Sequence, residues 1–198
     1  MSDARPARVL WGITGSVASI RADRLLEGLR GLGEVKLIRT ERSRHFCPPL
    51  PHDLWVGDDA DEWDSWSELG NPVLHIELRR WADVFVLAPA SANTLAKLAG
   101  GMCDNLLTSV ARAWDFSRPM VLAPAMNTLM WEHPVTAGQL EILRGWGARI
   151  VEPVEKLLAC NDVGMGALAP VEAIVEAVGA GLAAGPRDAE GPATVGSR

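Results

Sequence analysis

Two apolar segments that each run into a turn of small and amide-bearing residues constrain this chain more than any other feature. Val84–Ala88 leads into PASANT (Pro89 to Thr94), and Met120–Ala123 leads into PAMNTLMW (Pro124 to Trp131). Short apolar runs of this kind read as strands buried on both faces. In open α/β sheets the turns that follow such strands are where ligands bind. Two of them at one level of a sheet predict a single site.

The remaining segments extend the pattern. Arg8–Ile13 (RVLWGI) reads as a first strand, followed by the turn Thr14-Gly15-Ser16 and a helix carrying Leu25, Leu26, Leu29 and Leu32 at helical spacing. A second strand over Val35–Arg39 ends at Thr40, and the proline-rich ERSRHFCPPLPHD beyond it predicts a loop near the site. The acidic, Trp-bearing DDADEWDSW (Asp58 to Trp66) reads as a solvated loop with its Trp side chains folded under. From Pro72 a helix is expected, with Leu74, Leu78 and Trp81 on one face and His75 and Arg79 on the next. Further helices are expected over Leu95–Ala99, Asn105–Trp114 and Val135–Trp146, with a last strand over Ala148–Val151.

Pro153–Pro170 has poor periodicity and two glycines, Gly164 and Gly166, so it reads as a mobile flap carrying Cys160. A final helix over Val171–Leu182 would cover the sheet, and the tail from Ala183 lacks an apolar pattern and reads as disordered. Five strands alternating with helices predict a doubly wound, Rossmann-like or flavodoxin-like parallel sheet with helices on both faces. Right-handed crossovers would bring the turns after the strands to one edge. The whole reads as one domain over residues 1–182.

Composition removes several classes of function. At 198 residues and 48% hydrophobic, the chain can bury one sizeable core. A formal net charge of -6 with no basic block argues against nucleic acid or an anionic membrane surface as partner. There is no apolar run long enough to span a bilayer and no signal-peptide core at the N-terminus, which predicts a cytoplasmic protein. Cys47, Cys103 and Cys160 are widely spaced and odd in number, which fits neither a disulfide framework nor a metal site.

The turn Gly15-Ser16-Val17-Ala18-Ser19 stands between the first strand and first helix, where backbone N–H groups favour a phosphate. It lacks the full dinucleotide glycine fingerprint, and Thr40 stands at the end of the second strand where a dinucleotide site has an acid. A mononucleotide such as FMN fits better than NAD. His75 reads either as a packed histidine or as a catalyst, Asn127 as a helix cap or a ligand group, and Met126 and Met130 as core or pocket. Cys160 lies in a glycine-bearing stretch, the setting of a reactive thiol rather than a structural one. Residue types alone reach a nucleotide-binding α/β domain.

GSVAS, LHIELRRWAD (Leu74 to Asp83), PASANTLAKLAGGMCDNLLT (Pro89 to Thr108) and PAMNTLMW together resemble the homo-oligomeric flavin-containing cysteine decarboxylases, over roughly residues 8–178. Within that family the likeness is to the phosphopantothenoylcysteine decarboxylases and also to the peptidyl-cysteine decarboxylases of ribosomal peptide biosynthesis. The resemblance implies FMN as cofactor, held by Gly15, Ser16, Thr40, Ser91, Ala92, Asn93, Thr94 and Ala125. It implies His75 as the catalytic histidine and Asn127 as the group on the substrate carboxylate. Met130, Ala159 and Asn161 would help to shape the substrate pocket, and Cys160 would act as proton donor. It also implies a homotrimer, or a multiple of one, with each FMN site between subunits.

The implied chemistry accounts for these residue types. A cysteine carboxylate cannot lose CO2 directly, because the developing carbanion has no electron sink; oxidation of the thiol-bearing carbon by FMN supplies one. His75 would act as acid or base near neutral pH. The resulting enethiolate is either protonated by the flap cysteine and reduced again, or released as an aminoenethiol. Cys160 favours the first ending. Ala159-Cys160-Asn161-Asp162 in place of the family's ACGD pattern, and Pro170 in place of an acid, weigh against it. A chain with no room for a fused synthetase domain is expected to be a dedicated tailoring enzyme, so the favoured substrate is the C-terminal cysteine of a precursor peptide. Phosphopantothenoylcysteine, on the path to coenzyme A, is the alternative. A non-enzymatic regulatory flavoprotein is a remote third.

Overall fold

The computed structural model describes residues 5–64, 66–157 and 163–186. Six strands form one parallel sheet: β1 (Ala7–Ile13), β2 (Gly33–Arg39), β3 (Trp55–Gly57), β4 (Val84–Ala90), β5 (Met120–Pro124) and β6 (Arg149–Ile150), in the order β3-β2-β1-β4-β5-β6. The chain steps outward from β1 to β3 and then returns to lay β4 on the other side of β1. This is the doubly wound arrangement expected from the alternating pattern. Its reversal point, between the carboxyl ends of β1 and β4, is where such sheets open a crevice.

Side chains alternate across each strand, and the two faces are covered by different helices. Val9, Trp11, Val86 and Val121 face α1 (Ala22–Arg30) and α8 (Val171–Ala184), meeting Leu25, Leu29, Ile174 and Val178. Leu10, Phe85, Leu87 and Leu122 face α3 (Leu74–Trp81), α4 (Ala92–Ala99), α5 (Leu106–Arg112) and α7 (Pro134–Gly145). Every residue of β4 and β5 is buried, so both strands read as unbroken apolar runs. The β1 indole adds a polar tie, since Trp11 Nε1 donates to the Ala88 carbonyl at 2.8 Å.

Four expectations need correction. The sheet has six strands rather than five, because Trp55–Gly57 adds a three-residue edge strand beside β2. The proline-rich stretch before it contains a 3-10 turn over Glu41–His45. The acidic segment is not a loop over buried indoles: Asp59–Asp64 forms the short helix α2, while Trp63 is 76% and Trp66 50% exposed. Three of its acids, Asp58, Asp59 and Glu62, turn inward, while Asp61 and Asp64 stay exposed. Pro153–Pro170, expected to be irregular, contains an antiparallel hairpin of β7 (Val154–Leu157) and β8 (Val163–Ala167).

The last helix also runs two residues past the expected end, to Ala184. The expected disordered tail falls mostly on residues 187–198, outside those described. Among the described residues no helix is long and apolar enough to cross a membrane.

Phe85 is fully buried, with its ring centroid 5.4 Å from that of Trp114 and at the amino end of β4. Phe85→Ala should cost about 3–5 kcal/mol of stability, read as a lowered midpoint in chemical denaturation.

Candidate active site

Three strand ends converge at the reversal point of the sheet. After β1, the Thr14 side chain is fully buried and bridges to the turn after β4. Its hydroxyl donates to the Pro89 carbonyl and accepts from the Ser91 N–H, both at 2.8 Å. The Thr14 N–H reaches the same Pro89 carbonyl at 3.3 Å. Ser16 then donates to the Ala125 carbonyl at 3.1 Å, and the Ala125 N–H donates to the Ala90 carbonyl at 3.1 Å. The turns after β1, β4 and β5 are thereby tied into one surface.

Local sequence explains how each turn is shaped. Ser16 caps the 3-10 turn Val17–Arg21, and Ser91 caps α4, its hydroxyl accepting from the Thr94 N–H at 3.4 Å. Asn127 caps the short helix α6 (Thr128–Trp131), with Oδ1 accepting from the Leu129 N–H at 2.9 Å. Both readings of Asn127 therefore stay compatible: the cap fixes its orientation, and its amide N–H2 is the part of the side chain suited to a carboxylate.

The converging turns enclose a cleft of about 670 Å³, within the roughly 300–1,000 Å³ of typical small-molecule and cofactor sites. Gly15, Ser16, Ser91, Ala92, Ala125, Asn127 and Met130 all line it, as the strand-end turns predict. The β7–β8 hairpin closes one side. Its Gly166, at φ +125°, accepts from the Met126 N–H at 2.9 Å, and a Cβ there would meet the Met126 carbonyl at 2.4 Å. Only glycine permits that approach. Arg21 and Lys156 are the charged side chains lining the cleft, so its polar rim favours anions.

Other expected site residues lie elsewhere. Thr94 is buried behind Ser91, Asn93 is exposed on the first turn of α4, and Thr40 sits at the end of β2 with its N–H on the Ile13 carbonyl. None of the three lines the cleft. His75 does not either: it stands in the first turn of α3, on the face opposite α1 and α8. There Nδ1 lies 2.5 Å from a carboxylate oxygen of Glu62, a residue the polarity of its segment had assigned to solvent. Ala159, Cys160 and Asn161 lie outside the described residues. Burial pushes the Cys47 thiol up, against a smaller opposing pull from Arg39, and the side chain packs beside the core. Among the described residues no cluster of His, Cys, Asp or Glu is arranged to hold a metal ion.

The family described as Flavoprotein matches residues 1–182. A probable phosphopantothenoylcysteine decarboxylase from Arabidopsis thaliana is 50% identical over 176 residues, covering 88% of each chain. The phosphopantothenoylcysteine decarboxylase of Mus musculus is 49% identical over 183 residues, covering 91% of this chain and 90% of its own. The chain belongs to the homo-oligomeric flavin-containing cysteine decarboxylase family. Among solved structures, a cysteine-to-serine mutant of PPC decarboxylase complexed with pantothenoylaminoethenethiol superposes with a TM-score of 0.86 at 49% identity, over 88% of this chain and 97% of that one. The FMN binding protein AtHal3 gives 0.82 at 49% identity, over 88% and 95%. The FMN-dependent cysteine decarboxylase SpaF gives 0.74 at 31%, over 90% and 96%.

The residues present fit the family's FMN. Among the described residues no hydrogen bond occupies the N–H of Gly15 or Val17 on one turn, or of Ala92 on the other, and all three residues line the cleft. Such paired helix-start donors suit a phosphate. Met126 and Leu168 supply an apolar wall for a flat ring. Since Thr14 holds both turns, Thr14→Val should strip the Ser91 N–H of its acceptor, at a cost of about 1–3 kcal/mol. Denaturation midpoints should fall accordingly and FMN affinity, read by flavin fluorescence quenching, should weaken. Unchanged values for both would show that the turns are held by other contacts.

Proposed function

We propose that this FMN-dependent cysteine decarboxylase acts on phosphopantothenoylcysteine and yields 4′-phosphopantetheine, the alternative in the sequence reading rather than its favoured peptide substrate. What supports this most is likeness: the phosphopantothenoylcysteine decarboxylases share about half of this chain's residues over nearly its whole length. SpaF stands at 31%. The cleft rim agrees in charge, because Arg21 and Lys156 complement a substrate that carries both a carboxylate and a phosphate. The preference for a peptide rested on Asn161 and Pro170 in the flap and on the expectation of no fused synthetase domain, and these weigh less than likeness over nearly the whole chain.

The roles are those the family resemblance implies, read together with residue chemistry. FMN, when bound, supplies the redox step at the thiol-bearing carbon that makes CO2 loss possible. The Ser16 and Ser91 turns orient the cofactor through their N–H groups. Asn127, its Oδ1 committed to the α6 cap, donates its amide hydrogens to the substrate carboxylate. His75 exchanges the proton of the substrate thiol sulfur. Cys160 delivers the proton to the enethiolate carbon, a role in keeping with the cysteine-to-serine relative that holds an aminoenethiol.

Purified protein incubated with phosphopantothenoylcysteine should give a product lighter by CO2 alone in mass spectrometry, and Cys160→Ser should stop at the enethiol. A cysteine-terminated peptide converted in preference, to a product lighter by CO2 and two hydrogens, would overturn the substrate. FMN binding without turnover of either would point to a regulatory flavoprotein.

His75 also bears on assembly. α3 runs back antiparallel to β4, so its first turn lies at the same edge of the sheet as the strand ends, yet His75 does not line its own chain's cleft. A site built between subunits, with His75 of one chain facing the cleft of another, brings the two together, and we assign the protein a trimer or a multiple of it. Light scattering should give a mass of at least three times 21.3 kDa. A fully active monomer would refute this arrangement.

A further inference from the structure

The acidic segment before α3 has a use that neither its composition nor the cleft explains. Three of its carboxylates point inward at three different elements. Asp58 pairs with Arg44 of the 3-10 turn after β2, Asp59 Oδ1 accepts from the Leu106 N–H at the start of α5 at 2.8 Å, and Glu62 meets His75. The first two contacts fix α2 in place. The third is then a held geometry rather than a chance meeting of surface side chains, with Glu62 12% and His75 26% exposed.

We propose that Glu62 is a positioning residue for His75, holding the ring so that Nε2 is the nitrogen that exchanges the substrate proton. This rests on the reading of His75 as the acid–base residue of a cysteine decarboxylase. A neutral imidazole has one protonated and one bare nitrogen. An ionised carboxylate can only accept, so the nitrogen beside Glu62, Nδ1, carries the proton and Nε2 is left bare. Among the described residues no hydrogen bond engages Nε2. The carboxylate also sets the ring's rotation about its side-chain bonds. The same carboxylate–imidazole logic orients general bases and metal-binding histidines in unrelated proteins. Proton exchange at a thiol needs one defined nitrogen presented in one direction, and Glu62 supplies that definition from outside the cleft.

Ring nitrogens of histidine-labelled, full-length assembled protein can be read directly by 15N–1H NMR, with His75→Asn assigning the signal. The parent should show His75 protonated at Nδ1 and bare at Nε2. Glu62→Gln, whose amide oxygen still accepts, should keep this form and stay within about fivefold of parent kcat, taking the 10–100-fold typical of losing such a partner as the scale. Glu62→Ala should move the proton to Nε2 and lower kcat by about 10–100-fold, with KM and flavin content little changed. In the His75→Asn background, Glu62→Ala should have no further effect. A parent His75 protonated at Nε2 alone, or a Glu62→Ala enzyme with parent kcat, would overturn the proposal. Should Glu62→Ala fail to fold, Glu62→Gln decides: parent tautomer with near-parent kcat supports it, and an altered tautomer or a collapse of kcat with the tautomer intact refutes it. If no cysteine substrate is turned over at all, the catalytic reading fails, while the tautomer still tests the contact.

Discussion

The buried hydroxyl of Thr14 is the contact on which the site depends. A doubly wound sheet must split where its strand order reverses, and the two strands that part there, β1 and β4, have no reason of their own to end in register. Thr14 supplies it by donating to the Pro89 carbonyl and accepting from the Ser91 N–H. No apolar residue of the same shape could do both. With the first two turns joined, Ser16 and Ala90 bring the third, after β5, against them. The cleft is therefore a consequence of how the sheet is tied at its reversal point.

The parts of the fold that were legible in the sequence are those whose burial is complete. β4 and β5 are covered on both faces, so Val84–Ala88 and Met120–Ala123 are continuous apolar runs that admit one interpretation. The turns after them carry serine, asparagine and small residues because they cap helices and crowd a ligand, and those requirements also show in composition. β3 was invisible for the opposite reason: three residues at an edge, following several prolines, have too little period to register. β8 was hidden by its two glycines, which serve close packing rather than strand propensity, and β7 by being only four residues long.

α2 shows why polarity alone misleads. Asp, Glu and Trp in alternation suggest acids outward and indoles inward, yet Trp63 is exposed while Asp59 and Glu62 turn inward. Asp58 and Glu62 are one turn apart and share a face, which α3 and the 3-10 turn occupy with a histidine and an arginine. Each of those partners is many residues away along the chain. Nothing local distinguishes an acid awaiting water from one awaiting an imidazole. Likewise, the motif around His75 marked it for chemistry, but its distance from the cleft of its own chain is a tertiary fact.

The hairpin is tied to the same framework. Gly166 accepts from the Met126 N–H, and Gly164 lies where a Cβ would sit 2.3 Å from Thr128 Oγ1. Gly166 thus lets β8 lie directly on the backbone of Met126 and Asn127, and Gly164 lets it pack against the Thr128 side chain. The base of the hairpin and the asparagine assigned to the substrate carboxylate form one rigid unit, itself tied through Ala125 to Ser16 and the cofactor turn. The cofactor turn, Asn127 and the hairpin base are then referenced to a single network. His75 and Glu62 belong to a separate unit on α2 and α3. On the roles proposed above, the proton-exchanging group and the carboxylate site stand on separate units of one chain, which is the physical reason for proposing that assembly brings them together.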